Sequence, residues 1–121
     1  THLLAIALKN LKQIENLGVV YTILTKKDLK KHNFKKGDTE GFVNFGLRIK
    51  DVCLSVILIE DSFENIIKMS FRSKGKIDVN KFAKKYFNGG GHKNASGGYS
   101  NDSILETEKK LITSIKEFFR I

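Results

Sequence analysis

The chain has no proline and a single cysteine, Cys53, among its 121 residues. No proline, linker or repeat divides it, and its length is that of one domain with one hydrophobic core. One cysteine excludes a disulfide framework and favours a reducing, cytoplasmic setting. Because Cys53 stands within an apolar run, we expect a small buried hydrophobe rather than a nucleophile.

Long apolar runs and catalytic motifs are also missing. No stretch of about eighteen apolar residues indicates a membrane span, and the first residues do not have the order of a signal peptide. Three widely separated histidines (His2, His32 and His92) and scattered carboxylates predict no metal site, and there is no GxSxG elbow. We expect surface positions for His2 and His32, and a binding module overall.

Positive charge is what the chain has in excess, with a formal net charge of +9 at pH 7. Between residues 65 and 93, eight lysines and arginines stand against one acidic residue, Asp78. Such a field predicts an anionic partner such as a nucleotide, an oligonucleotide or another phosphate ester. A general enrichment in lysine, visible also in residues 26–36, is the alternative explanation.

Apolar periodicity and turn chemistry predict an α/β fold. It is a single domain with a mixed β-sheet of about four to five strands flanked by helices. Thr25 and Asp78 are expected to cap helices, Gly41 and Gly46 to indicate close packing, and residues 32–37 to form a turn. The predicted elements are helix 2–16, strand 19–24, helix 26–31, a helix from 38 to 49, strands 52–59 and 67–72 joined as a hairpin, helix 79–87 stopped by residues 88 and 89, strand 97–100 and helix 104–119.

The most constrained stretch is residues 88–98, where five glycines surround one imidazole. Gly89, Gly90 and Gly91 have no Cβ, so a backbone can approach another object closely there. The spacing excludes the GxGxxG fingerprint and the P-loop. A phosphate-binding backbone loop fits, with His92 able to donate a hydrogen bond; a flexible tether is the alternative.

Arg72 is one of three arginines in the chain and ends a predicted strand on its polar face. A guanidinium can hold a phosphate bidentately, whereas a lysine ammonium acts as a point charge. We therefore expect Arg72 to accompany the glycine loop, the alternative being a solvated surface arginine.

Four motifs occur in a fixed order: residues 37–44 (GDTEGFVN), 70–75 (SFRSKG), 78–83 (DVNKFA) and 87–98 (FNGGGHKNASGG). On these motifs the chain resembles, over essentially its whole length, the DHH-associated C-terminal domain of DHH-family phosphoesterases. The resemblance is greatest to the nano-RNA exonuclease and pAp phosphatase branch, part of which is described as exopolyphosphatase-related. Polyphosphatases, RecJ-like exonucleases and alanyl-tRNA editing proteins share the GGGH element more loosely.

The resemblance implies that residues 1–121 are the substrate-binding half of a two-domain phosphoesterase, with residues 1–16 ending an interdomain helix. An N-terminal DHH domain, absent from this chain, would hold divalent metal, usually manganese. The chain itself would bind no cofactor and supply no catalytic residue, His92 being an auxiliary phosphate contact. The motif match gives the substrate-binding residues as Arg72, Ser73, Gly89, Gly90, Gly91, His92, Asn94 and Ser96.

The activity implied for the full-length protein is hydrolysis of short oligoribonucleotides and 3′-phosphoadenosine 5′-phosphate (pAp). Its partners would be short RNA or nucleotide phosphate and its own N-terminal DHH domain, with no membrane. Two alternatives within the hydrolases are a cyclic-dinucleotide phosphodiesterase and an exopolyphosphatase. An alternative of another class is a stand-alone nucleic-acid-binding module, and the sequence leaves the oligomeric state open.

Overall fold

A six-stranded mixed sheet organises the protein in a computed structural model that describes residues 2–14, 16–31 and 36–120. The strands are β1 (Lys12–Ile14), β2 (Val19–Leu24), β3 (Leu54–Asp61), β4 (Ile66–Ser73), β5 (Gly90–His92) and β6 (Ala95–Ser100). The helices are α1 (His2–Lys9), α2 (Lys26–Lys31), α3 (Lys36–Leu47), α4 (Val79–Tyr86) and α5 (Ile104–Phe119).

The strand order is β1-β2-β3-β4-β6-β5. The β2–β3 pair is parallel, and its crossover carries α2 and α3, because parallel neighbours need a long connection. The other neighbouring pairs are antiparallel, and β3 and β4 form the predicted hairpin. The predicted α/β class with a mixed sheet is therefore confirmed, with six strands rather than four to five.

Helices cover both faces of the sheet. Residues 54–59 of β3 are all buried, as the continuous apolar run predicted. One face packs against α4 and α5, where Phe71 and Phe82 meet edge to face with ring centroids 5.4 Å apart. The other face packs against α1 and α3 through Ala7, Phe42 and Val43.

The predicted helix over residues 2–16 is wrong beyond its first half. The helix α1 ends at Lys9, and Lys12–Ile14 forms the edge strand β1. Gly18 explains the difference, because its φ of 73° turns the chain sharply enough for β1 to pair with β2. Ile14, placed on a helical stripe by its spacing, is instead buried in the core by that pairing.

The glycine stretch is also more regular than predicted. Its residues Gly90–His92 form the strand β5, which pairs with β6 across a tight turn at Lys93 and Asn94. Because β6 begins at Ala95, it is longer than the predicted strand 97–100. Glycine is depleted in strands, which is why the sequence predicts a loop here.

The predicted caps are confirmed. The Thr25 hydroxyl accepts from the Asp28 N–H at 3.2 Å, and the Asp78 carboxylate accepts from the Lys81 N–H at 3.1 Å. Asn88 follows α4 with a φ of 53°, the left-handed conformation expected of a helix stop.

The predicted third helix starts at Lys36 rather than Asp38 and ends at Leu47, so Ile49 lies beyond it. Gly46 packs closely, since a Cβ there would lie 2.2 Å from the Ser55 hydroxyl oxygen, whereas Gly41 has nothing within 4 Å.

Two sequence expectations fall on undescribed parts of the chain. The predicted turn over residues 32–37 lies mostly outside the described residues, as do the side chains of His2 and His32. None of the helices in the described ranges is long and apolar enough to cross a membrane.

Candidate phosphate-binding face

Arg72 and His92 lie in one row across three neighbouring strands. The register pairs Arg72 with Ala95 between β4 and β6, and pairs His92 with the same Ala95 between β5 and β6. Directly opposed residues of antiparallel strands project from the same face of a sheet. The fold therefore brings together two residues that are 20 positions apart in the sequence. They lie on one face of the sheet, and Phe71 is buried on the other face.

The neighbouring row contains two glycines. Ser70 pairs with Gly97, which pairs in turn with Gly90. We call Gly90 and Gly97 the glycine floor, since no side chain rises from either position. Side chains of α4 lie against Gly90, where a Cβ would be 3.0 Å from the Asn80 amide oxygen and 3.2 Å from Lys84 Cε, whereas a Cβ at Gly97 would meet only the Met69 carbonyl oxygen at 3.2 Å. The more open backbone of this pair is therefore at Gly97, beside the row of Arg72 and His92.

The guanidinium of Arg72 is held on several sides, and its side chain is 17% exposed. Its Nη1 donates to the Phe71 carbonyl at 2.9 Å and to the Ser96 carbonyl at 3.3 Å. Its Nη2 donates to the carboxylate of Glu40 on α3, an exposed side chain. The two carbonyls fix the position of the cation, and the Glu40 carboxylate neutralises its charge.

His92 differs from Arg72 in being exposed on the edge strand β5. Within the described ranges, no hydrogen bond or ion pair involves its imidazole ring. The ring is therefore available to a ligand on this face, and Arg72 supplies the fixed charge.

The glycines of the stretch are required by the protein's own backbone as well. A Cβ at Gly89 would lie 1.9 Å from the Gly97 carbonyl oxygen, and one at Gly91 would lie 2.8 Å from the Ala95 carbonyl oxygen. Gly90 and Gly91 have φ of 153° and 151°, a region that favours glycine. The close approach inferred from the sequence is thus made against β6, and approach of a nucleotide stays a prediction.

Ser73, Asn94 and Ser96 do not join the row. Ser73 is buried, donates to the Ile77 carbonyl at 2.6 Å and accepts from the Asn94 amide at 3.0 Å. Ser96 is buried and donates to the His92 carbonyl at 2.7 Å. These groups hold the loop before α4 and the β5–β6 turn, so their contact with substrate stays a prediction.

A cavity of about 970 Å³ adjoins the row on the same side of the sheet. Ser70 and Glu40 line it at the end nearest Arg72. Glu40 belongs to the GDTEGFVN motif and is expected from the sequence only as an acidic residue in the first turn of a helix, because a partner 32 residues away leaves no local signal of its place in the site. The remaining lining residues are Lys26, Leu29, Lys30, Ile59, Asp61, Ser62, Phe63 and Lys68.

The shifted pKa values of Asp61 and Cys53 are explained by local contacts and burial. Lys68 pairs with Asp61 at 3.0 Å, and its hydrogen bond lowers the pKa of that carboxyl group. Burial raises the pKa of the Cys53 thiol, whose sulfur donates to the Leu17 carbonyl at 3.7 Å. A protonated, half-buried thiol is a poor nucleophile, in agreement with the expected packing role.

The described part of the chain contains no group of three or more histidine, cysteine or acidic side chains that could hold a metal ion. The described residues therefore offer no ligand set for a metal ion on this face. What the face can do chemically is to bind and orient an anion.

Comparison with known proteins gives one family. The family model described as the DHHA1 domain matches residues 16–120. No match was found among curated proteins.

Several solved structures share the fold. A Bacteroides fragilis exopolyphosphatase-related protein is 41% identical in sequence, with a TM-score of 0.90. The match covers 97% of this chain and 34% of the Bacteroides chain. A pGpG-specific phosphodiesterase from Vibrio cholerae is 18% identical, with a TM-score of 0.64, and the match covers 96% of this chain and 38% of the Vibrio chain. The C-Ala domain of Aquifex aeolicus alanyl-tRNA synthetase is 11% identical, with a TM-score of 0.60, and the match covers 86% of this chain and 96% of the C-Ala domain. The chain thus spans about a third of the first two.

Proposed function

The chain belongs to the DHHA1 domain family, and from that premise we propose that it is the substrate-binding domain of a longer, metal-dependent phosphoesterase. The proposed substrates are short oligoribonucleotides and pAp. The observation that carries the proposal is the row in which Arg72 and His92 flank Ala95 beside the glycine floor.

In this proposal Arg72 binds the substrate phosphate and His92 contacts it from the other side. The backbones of β4 and β5 lie two strand spacings, about 10 Å, apart, which leaves room for a phosphate group between the two side chains. The phosphate displaces the Glu40 carboxylate, while the carbonyls of Phe71 and Ser96 keep the guanidinium in place. Charge-assisted hydrogen bonds of this kind fix the orientation of the ester.

The chemistry at phosphorus belongs to another part of the protein in this proposal. A divalent metal, manganese, would be held by an N-terminal DHH domain and would stabilise the charge that develops at phosphorus. The residues of this chain then contribute binding and orientation alone, so the 121-residue chain is expected to bind without turnover.

Two other substrates have support from similar proteins. Polyphosphate is a candidate because the relative at 41% identity is described as exopolyphosphatase-related. A dinucleotide is a candidate because a pGpG-specific phosphodiesterase shares the fold. A stand-alone nucleic-acid-binding module is the candidate of another class, and a gene encoding no DHH domain upstream of this chain would favour it.

The test is to compare Arg72→Ala and His92→Ala in the full-length protein, with pAp, a trinucleotide, pGpG, a cyclic dinucleotide and polyphosphate as substrates. Removal of one positioned donor is expected to lower kcat/KM for the true substrate by about a hundredfold. Arg48→Ala is the matched control, because Arg48 is exposed beyond the end of α3. Near-normal turnover by both site variants, with circular dichroism unchanged, would contradict the proposal.

A further inference from the structure

Phe63 presents an aromatic ring to solvent at the turn between β3 and β4. Its side chain is 99% exposed, which is costly for so large an apolar group. The turn itself is ordered by the Asp61 carboxylate, which accepts from the Phe63 N–H at 2.8 Å and the Glu64 N–H at 3.3 Å. Since Phe63 adds nothing to the core, its place at the mouth of the cavity calls for another explanation.

The cavity beside Phe63 combines apolar and cationic walls. Leu29 and Ile59 supply apolar surface, and Lys26 and Lys30 stand at its edge. Lys26, Leu29 and Lys30 are spaced i, i+3 and i+4, so they share one face of α2. At about 970 Å³ the cavity is large enough for a nucleotide-sized ligand.

The carboxylates of this cavity are already committed to partners. Glu40 is paired with Arg72, and Asp61 is paired with Lys68 at 3.0 Å. In the portion of the chain that the structure describes, no carboxylate side chain pairs with the ammonium groups of Lys26 and Lys30. The lining thus offers unpaired positive charge beside an apolar floor, a combination that suits an anion carrying a flat apolar group.

The cavity continues from the Arg72 row. Ser70 lies two residues before Arg72 on β4, on the same face, and lines the cavity together with Glu40. From Arg72 to Ile66 the strand extends about 20 Å, long enough for more than one nucleotide. A ligand gripped at Arg72 can therefore run along β4 towards Phe63.

We propose that this cavity is an oligonucleotide groove, in which the base of a nucleotide beyond the gripped phosphate stacks on Phe63 while Lys26 and Lys30 meet its phosphate. The inference rests on the proposed function and narrows it, because a polyphosphate chain has no apolar group to place against Leu29, Ile59 and Phe63. Stacking of a base on an aromatic side chain tolerates any base, so the groove selects for chain length rather than sequence.

The experiment compares Phe63→Ala, Phe63→Trp and the control Leu105→Ala in the full-length protein. Leu105 is a second exposed apolar side chain, 62% exposed on α5, and neither residue is part of the core. Phe63→Ala should raise KM for a trinucleotide about tenfold through lost stacking and leave KM for pAp unchanged, because pAp ends near the Arg72 row. Phe63→Trp should retain the wild-type KM, and Leu105→Ala should change neither substrate.

An equal effect of Phe63→Ala on both substrates, or no effect on either, would overturn the groove and leave the proposed function standing. A wild-type protein that cleaves polyphosphate but neither nucleotide would overturn the proposed function and the groove with it.

Discussion

Arg72 shows how much of a site one residue's context can predict. Alternation along the strand placed its side chain on the polar face, and the fold confirms this, with Phe71 buried on the other face. Its ion pair with Glu40 was beyond sequence reasoning, because α3 and β4 meet only once the sheet has formed. The difference matters for the proposed binding of phosphate, which would have to replace a carboxylate rather than water at Arg72.

Glu108 is the residue with the clearest linkage between protonation and stability. Its carboxylate, 15% exposed, accepts from the Tyr21 hydroxyl at 2.6 Å and from the Lys12 ammonium at 2.9 Å. Burial alone would raise the pKa of Glu108, but these two donors outweigh it and hold the pKa below its ordinary value. Burial and the same hydrogen bond raise the pKa of Tyr21, as expected for a phenol that donates to a carboxylate.

We predict that Glu108→Gln lowers the free energy of unfolding by about 1 to 2 kcal/mol at pH 7. A carboxyl group whose pKa is depressed by folding contributes stability above its ordinary pKa, and that contribution is lost as the pH falls through the folded pKa. The variant and the wild type should therefore converge in acid.

Urea unfolding at pH 7, 5 and 3 measures this difference. Glu64→Gln is the control, because Glu64 pairs with Lys68 at the surface, where an ion pair contributes little. A difference for Glu108→Gln that stays constant across the three pH values would refute the linkage.

Among the elements, those with a strong period were predictable and those set by tertiary pairing were not. Val19–Leu24 and Lys26–Lys31 have the predicted bounds, since β-branched residues and a cap define them locally. Leu11 and Ile14 also fit a helical stripe, so their spacing predicts helix where β1 forms. Three glycines predict a loop where β5 forms, because the pairing of β5 with β6 depends on the φ of its glycines rather than on side chains.

The helix α3 offers a matched pair of glycines for a prediction at this scale. A Cβ at Gly41 meets nothing within 4 Å, so Gly41→Ala should stabilise the protein by about 0.5 to 1 kcal/mol through helix propensity. A Cβ at Gly46 would lie 2.2 Å from the Ser55 hydroxyl oxygen and 3.2 Å from a Val20 methyl carbon. Gly46→Ala should therefore destabilise by about 1 to 3 kcal/mol through overpacking.

Thermal unfolding of both variants, followed by circular dichroism, tests the pair. Opposite signs are expected from the same substitution in one helix. A stabilising effect of Gly46→Ala would contradict the close packing of α3 on β3, and a destabilising effect of Gly41→Ala would contradict the gain in helix propensity.

At the scale of the whole molecule, the two faces of the sheet differ in how much apolar surface they bury. The face under α4 and α5 buries the larger apolar cluster and holds the strands in register. The opposite face is covered by α1 and α3 over β2 and β3, while the row of Arg72 and His92 lies further along the sheet on β4 and β5. The sequence indicated a basic surface, but the division between the faces follows from the order β3-β4-β6-β5.

The charge of +9 leads to a prediction for the chain by itself. Binding of a short oligoribonucleotide should weaken with salt, with a log–log slope of about −0.7 for each phosphate that a cation neutralises. In this proposal three cations are assigned to phosphates, Arg72, Lys26 and Lys30, whereas Lys68 in the same cavity is paired with Asp61, so a slope of about −2 is expected.

Replacing both Lys26 and Lys30 by alanine should reduce the steepness of that slope by about 1.4, since two of the three phosphate contacts are lost. The matched control replaces Lys27 and Lys31, which are exposed on the same helix but do not line the cavity. Fluorescence anisotropy with a labelled trinucleotide between about 50 and about 300 mM salt measures the slopes, and the two double variants have the same net charge. If the two double variants gave equal slopes, binding would depend on the total charge of the molecule rather than on the groove, because both remove two positive charges from α2.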